Sequence, residues 1–220
     1  MIGFFVSVSV IVPFLFLFFY LSSKIIYTKK YKENYSIKNH FIFEFNDDGY
    51  KENIIGNIFL ILATILFIPL LIFYYRFSKN GYFLFSSISM ILILIFINLL
   101  SFVPLRKLKE HLLFSSFVFS LTFLSFLSLS IGLYKTYEFY EQIIFLILGI
   151  IIFVVSLFHL FINIWISFHK FEKMIDKENE DGTIIKIRNK FILLAFFEWI
   201  NSFVIYFSPF IFALIYILLK

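Results

Sequence analysis

The stretch QIIFLILGIIIFVVSLFHLFINIWISF, Gln142 to Phe168, runs for 27 residues without a single Asp, Glu, Lys or Arg. A bilayer core of about 30 Å needs roughly 20 apolar residues per helix, so this segment is long enough to cross one. Five further stretches meet the same requirement: about 2–23, 54–75, 82–103, 112–134 and 191–219, with this one at 142–168. The expected fold class is therefore all-α, a polytopic membrane protein forming a bundle of six transmembrane helices. A single domain covers 1–220. The first stretch has neither a basic leader nor a small-residue cleavage site and is read as a retained span bent at Pro13. Pro69 and Pro209 fall inside later spans, where neighbouring helices can satisfy the freed carbonyls.

Composition agrees. The chain is 61% hydrophobic and 15% charged, with a mean hydropathy of +0.96, whereas soluble domains run about 45–50% apolar and about 25% charged. Cysteine is absent, which excludes disulfides, thiolate metal sites and cysteine nucleophiles. Phe occurs 36 times, and Ala only at Ala63, Ala195 and Ala213. That skew is what an AT-rich prokaryotic genome produces when it chooses among equivalent apolar codons, so aromatic stripes are read as core or lipid-facing filler.

The net charge of +5 points to topology rather than nucleic acid, because the basic residues lie in loops beside the spans. The loops after spans 1, 3 and 5 hold fifteen of the Lys and Arg residues; the opposite side holds four, Arg76, Lys79, Lys135 and Lys220. The positive-inside rule then places those three loops in the cytoplasm and both termini outside, in a cell membrane. In the first loop, NHFIFEFNDDGYKEN (Asn39–Asn53) alternates with period two before a turn sequence, which suits a short hairpin or an irregular segment skirting the lipid. In the fifth loop, helix 5 is expected to continue to about Asn179, with Phe171, Met174 and Ile175 on one face and a turn at Asp181-Gly182.

Polar residues within spans face the protein interior as a rule. In span 5, Gly149, Ser156, His159, Asn163 and Ser167 fall within an arc of roughly 80°. Span 6 carries Ala195, Glu198, Ser202 and Pro209 on a similar stripe with Asn201 on its flank, and span 3 offers Ser87, Asn98 and Ser101. Measured from the loop that joins them, His159 and Glu198 both lie roughly 12–14 Å deep, so the two are expected to meet. Asn163, Asn98, Ser101 and Ser116 fall in the same leaflet, and His111 lies near the same surface. The polar atoms thus gather in the half of the bundle that faces the basic loops.

Two readings of this seam stand side by side. In the structural one, a Glu–His contact backed by Asn and Ser rivets the helices together. In the functional one, Glu198, His159, Asn163, Asn201, Ser202, Asn98 and His111 line a half-depth polar cavity that binds a lipid headgroup or small solute. No catalytic residue, metal site or cofactor is assigned: two or three ligands are too few for a metal, and a Ser116–His159–Glu198 triad has no spacing to recommend it. The serines of span 4, such as the Ser116/Ser120 and Ser128/Gly132 pairs, read as small residues that let helices approach.

Three stretches carry a resemblance. NIIGNIFLILATILFIPLLIFYYR (Asn53–Arg76), SFVPLRKLKEHLLFSSFVFSL (Ser101–Leu121) and LLAFFEWINSFVIYF (Leu193–Phe207) are similar to the second span, third junction and last span of an uncharacterised six-pass family in the DRAM/Frag-like group. Its matching positions here are Asn57, Pro69, Pro104, His111 and Glu198. The resemblance implies a six-pass fold without an established activity, cofactor or substrate. It also implies both termini inside, the reverse of the charge count.

The function expected is non-enzymatic handling of a headgroup or small solute. A proton-coupled carrier titrating at Glu198 is the alternative from another class, and an intramembrane hydrolase is more distant. Expected partners are membrane lipids and a small solute, with room for a homo-oligomer or larger membrane complex and none for nucleic acid.

Overall fold

The computed structural model describes residues 2–44, 53–78, 80–103, 107–168, 174–178 and 184–220. It contains α1 (Ile2–Tyr31), α2 (Ile54–Ser78), α3 (Gly81–Leu100), α4 (Leu108–Tyr140), α5 (Ile143–Phe168), β1 (Met174–Glu178), β2 (Ile184–Arg188), α6 (Leu193–Phe207) and α7 (Pro209–Leu218). Six spans are long and apolar enough to cross a membrane, the last made of α6 and α7 together. The expected all-α bundle is present.

The outward faces are greasy, as lipid requires. Ile65, Ile150 and Phe161 are 56%, 55% and 61% exposed, a cost no aqueous surface would carry at this density. Polar side chains do the reverse: Ser86, Thr122, Ser125, Ser156, His111 and His159 are all fully buried.

Local chemistry sets the helix ends. Lys32 leaves α1 in the left-handed region with φ 56°, its N–H reaching Thr28 O at 3.1 Å. Asn53 opens α2 by accepting from Gly56 N at 3.1 Å and donates to Ser23 Oγ of α1 at 2.9 Å. Gly56 is required there, because a Cβ would lie 2.6 Å from Ser22 Oγ and nearer still to Asn53. Asn80 caps α3. The last span is interrupted at Ser208, whose hydroxyl bonds Ile205 O at 2.7 Å, and Pro209 starts α7 at a position where its missing N–H is harmless.

Serines supply the close approaches expected of them. Across α3 and α4, Ser125 Oγ reaches Ser86 O at 3.0 Å, and Ser128 Oγ reaches Tyr82 O at 2.8 Å. Gly132 lets the Phe83 ring lie against the α4 backbone. Across α4 and α5, Ser130 Oγ donates to Gly149 O at 2.8 Å, Ser156 Oγ to Phe123 O at 3.1 Å, and Asn163 Nδ2 to Ser120 Oγ at 2.7 Å. Ser116 is an exception: it bonds its own helix at Leu113 O. The polar face of α5 is therefore spent on α4. The last span is the most buried of the six; α6 touches α1, α4 and α5, and α7 touches α1 and α2.

Both long loops depart from expectation. Helix 5 does not continue to Asn179. Met174–Glu178 form β1, which pairs with β2 antiparallel, Asp176 across from Lys186 and Ile175 across from Ile187. The β-branched run Ile184, Ile185, Ile187 favours strand over helix. Phe171 and the Asp181-Gly182 turn lie outside the described residues. The first loop forms no strand within its described part. Phe41, Ile42 and Phe43 are instead all buried around a turn, and Asn46–Gly49 lie outside the described residues.

Gly132→Val should force the Phe83 ring off α4 and cost about 1–3 kcal/mol, the range for overpacking a filled interface. Ser128→Ala should cost about 0.6 kcal/mol. Thermal unfolding in detergent, with both variants beside the parent, measures the two.

Candidate functional site

Glu198 lies on the buried face of α6 and is 5% exposed. A carboxylate there needs donors, and α4 supplies two from one face. His111 and Ser115 are four residues apart, so helical periodicity stacks them. Ser115 Oγ donates to Glu198 Oε1 at 2.6 Å, and His111 Nε2 lies 3.1 Å from Oε1 and 3.4 Å from Oε2. With the carboxylate ionised, Nε2 is the donor in this contact. Lys107 O accepts from the His111 amide at 3.1 Å in the first turn of α4, and the Phe41 ring meets the imidazole edge-on at 5.9 Å.

The partner of Glu198 is thus His111, and the expected meeting with His159 does not occur. His159 Nδ1 is 2.7 Å from Val155 O of its own helix; a carbonyl accepts, so Nδ1 bears the hydrogen and Nε2 is left as an acceptor. Depth along the two helices was a sound guide, but azimuth decides contact. Glu198 faces α4, while Asn201, about 60° further round α6, is the residue beside His159. His159 Nε2 and Asn201 Oδ1 are both buried, and the two side chains interact with each other between α5 and α6.

Glu198, Asn201, Ser202 and Ser115 line one cavity with Ile42, Phe43 and apolar residues of α3 and α4. Its volume is about 10 Å³, about the least that holds one water. A larger hollow of about 530 Å³ opens on the outer face of α3 and α4, lined by Tyr82, Phe85, Leu124, Leu127 and Ile131. It offers no acid or base, and the chemistry belongs to the smaller one.

Of the seven residues expected at the site, Glu198, His111, Asn201 and Ser202 come together, with His159 adjoining through Asn201. Asn163 is taken by Ser120. Asn98 donates to Thr64 Oγ1 at 2.7 Å, and Thr64 in turn lies 3.2 Å from the Tyr206 hydroxyl, so this is a separate polar knot joining α2, α3 and α6. Ser116, the serine of the paper triad, points elsewhere. Ser115 Oγ and His111 Nε2 converge on the carboxylate rather than on each other, which is a clamp and not a Ser–His relay. Among the described residues no three His, Cys, Asp or Glu side chains cluster as metal ligands would.

Sequence reasoning missed Ser115, although its i, i+4 spacing from His111 was legible. It also missed the first loop as a cap. Tyr35 OH donates to Phe41 O at 2.7 Å, Trp199 Nε1 to His40 O at 3.0 Å, and Ile192 N to Lys38 O at 2.8 Å. Arg188 reaches into the same loop: its Nη2 is 2.8 Å from Glu44 Oε1 and its Nε 2.9 Å from Glu33 Oε1. Burial, and then the Arg188 charge, hold the His40 imidazole below its ordinary pKa, so the ring adds no second cation there at neutral pH. The Glu44 and Glu33 carboxylates sustain the Arg188 charge above its ordinary value despite burial.

No family model matches this chain, and neither does any curated protein or solved structure.

A double-mutant cycle separates the two histidines. His111→Ala with Glu198→Gln should show a coupling of about 0.6–2 kcal/mol, the range for interhelical polar contacts. His159→Ala with Glu198→Gln should be additive. Thermal unfolding of the six proteins in detergent reads the result, and strong coupling for His159 instead would contradict the geometry.

Proposed function

We propose that this multi-pass membrane protein binds an ammonium-type group at Glu198 without chemically transforming it, the group being carried by a small amine or by a lipid headgroup. The observation that carries this reading is the imbalance of the cavity. Its lining carries the Glu198 carboxylate and the Asn201 carboxamide, with the His159 ring behind them beside Asn201. The hydroxyls of Ser115 and Ser202 are already committed to Glu198, the first to its carboxylate and the second to its backbone carbonyl. A carboxylate between apolar walls is complementary to N–H groups and, when ionised, favours a cation and repels an anion. The small closed volume requires the first loop to move before anything larger than water enters.

A carrier coupled to protons is the second reading. It is favoured by the direct contact of two buried titratable side chains, Glu198 and His111, within the spans. In this reading His111 takes the switching role that the sequence assigned to His159. Proton-driven uptake in proteoliposomes, absent in Glu198→Gln, would support it over binding alone.

Fifteen Lys and Arg on the face near the site against four on the other support a cytoplasmic site with both termini outside, in the cell membrane of an AT-rich prokaryote. The six-pass resemblance would reverse that orientation.

Methylammonium and ethanolamine should raise the melting temperature of the parent protein, and acetate should not. Glu198→Gln should lose the shift while keeping its own fold. In nanodiscs, retention of phosphatidylethanolamine by native mass spectrometry without a methylammonium shift would identify the headgroup as the source. A parent protein indifferent to both would sink the reading. For orientation, single cysteines at Lys30 and Lys190 should resist impermeant maleimides in intact cells, and rapid labelling would reverse the topology.

A further inference from the structure

The cavity is closed on one side by the first loop, whose Ile42 and Phe43 form part of its wall, while Phe41 covers His111. The burial of Phe41, Ile42 and Phe43 and a buried ion pair hold that loop down together. Arg188, the last residue of β2, is 13% exposed in its side chain, and its partner Glu44 is 2% exposed. The guanidinium engages four groups at once: Glu44 Oε1 at 2.8 Å, Glu33 Oε1 at 2.9 Å, Tyr27 OH at 3.0 Å and Asn39 O at 3.2 Å. Glu44 passes the restraint on, since its Oε2 accepts from Phe41 N at 3.1 Å, directly before the two residues that wall the cavity.

We propose that Arg188 is the latch of a lid: its grip on Glu44 and Glu33 keeps residues 41–43 over Glu198, and the cavity opens toward the basic-loop side when that grip is released. Opening the lid is thereby coupled to the β1–β2 ribbon, because the latch residue belongs to it. Burial of Phe41, Ile42 and Phe43 and the Tyr27 hydroxyl on Glu33 also hold the loop. Among the described residues three further ties run through a backbone group: Trp199 to His40 O, Ile192 N to Lys38 O, and Asn39 Nδ2 to Asn189 O. These can re-form with water once the buried pair parts, whereas Glu44 cannot stay dry without its cation. The chain places the trigger outside the membrane core and the guarded carboxylate inside it. The inference rests on the Glu198 cavity being the functional site, and it concerns access to that site rather than what binds there.

The absence of cysteine makes the test direct. A single cysteine at Ser202, on the cavity wall, reports opening through its rate of reaction with N-ethylmaleimide in nanodiscs without any amine present. A second at Ala213, buried in α7 on the far side, reports general loosening. In an otherwise unaltered background Ser202→Cys should react slowly. Adding Glu44→Gln, and separately Arg188→Gln, should speed it by about tenfold or more, because the rate follows the open population. Ala213→Cys should stay slow throughout. Equal Ser202→Cys rates with and without the latch changes would overturn the proposal, and so would parallel acceleration at Ala213→Cys in both backgrounds. An open cavity in the latch variants combined with a methylammonium shift that survives Glu198→Gln would leave the latch standing and remove the ammonium reading instead.

Discussion

A carboxylate placed at depth in a membrane protein has to be met by donors held in position, and Glu198 imposes that requirement on this bundle. Removing water from an ion is costly enough that the surrounding structure must be built to compensate. Here the compensation comes from α4, one turn of which presents His111 and Ser115 together. The contact fixes the rotation of α6 against α4, and from that rotation the rest of the interior follows. Trp199 turns toward α1 and the first loop, where it meets Phe16, Tyr20 and Tyr35. Asn201 turns toward α5.

The last span can play this part because it is interrupted. Between Phe207 and Pro209 it is two helices joined at Ser208. The first carries the polar residues and touches α4, α5 and α1, while the second is apolar and packs on α1 and α2. The two halves therefore do different work: one builds a polar site near the basic loops, and the other closes the dry half of the bundle with Tyr74, Phe212 and Tyr216. The first loop completes the site by plugging it from outside. A site so enclosed is more costly to reach than an open groove, which is why its entry and its chemistry have to be considered together.

The spans were legible because length and apolarity at this scale admit one solvent and one secondary structure, and each began or ended within a few residues of its sequence boundaries apart from extensions of α1 and α4. Glu198, Asn201 and Ser202 of the cavity wall, and His111 on the Glu198 carboxylate, were legible because polar atoms in lipid are too costly to be incidental. The pairing of Glu198 with His159 was not, since residue counting along two helices sets height but leaves rotation undetermined. The spare polar face of α5 was already committed to Ser120, Phe123 and Ser130 of α4. The first loop was hidden for a different reason. Period-two alternation implies one wet face, but Phe41, Ile42 and Phe43 are buried in succession, Phe41 packing against residues distant in the chain such as His111, Leu194 and Ala195.

The claim that Glu198 is clamped by α4 can be read most directly by solid-state NMR in lipid. With glutamate labelled at 13Cδ and histidine labelled with 15N, the Glu198 carboxyl, assigned by its loss in Glu198→Gln, should show strong dipolar dephasing from a histidine nitrogen. That dephasing should vanish in His111→Gln and persist in His159→Gln. Dephasing that survives the loss of His111 and disappears with His159 would contradict the account.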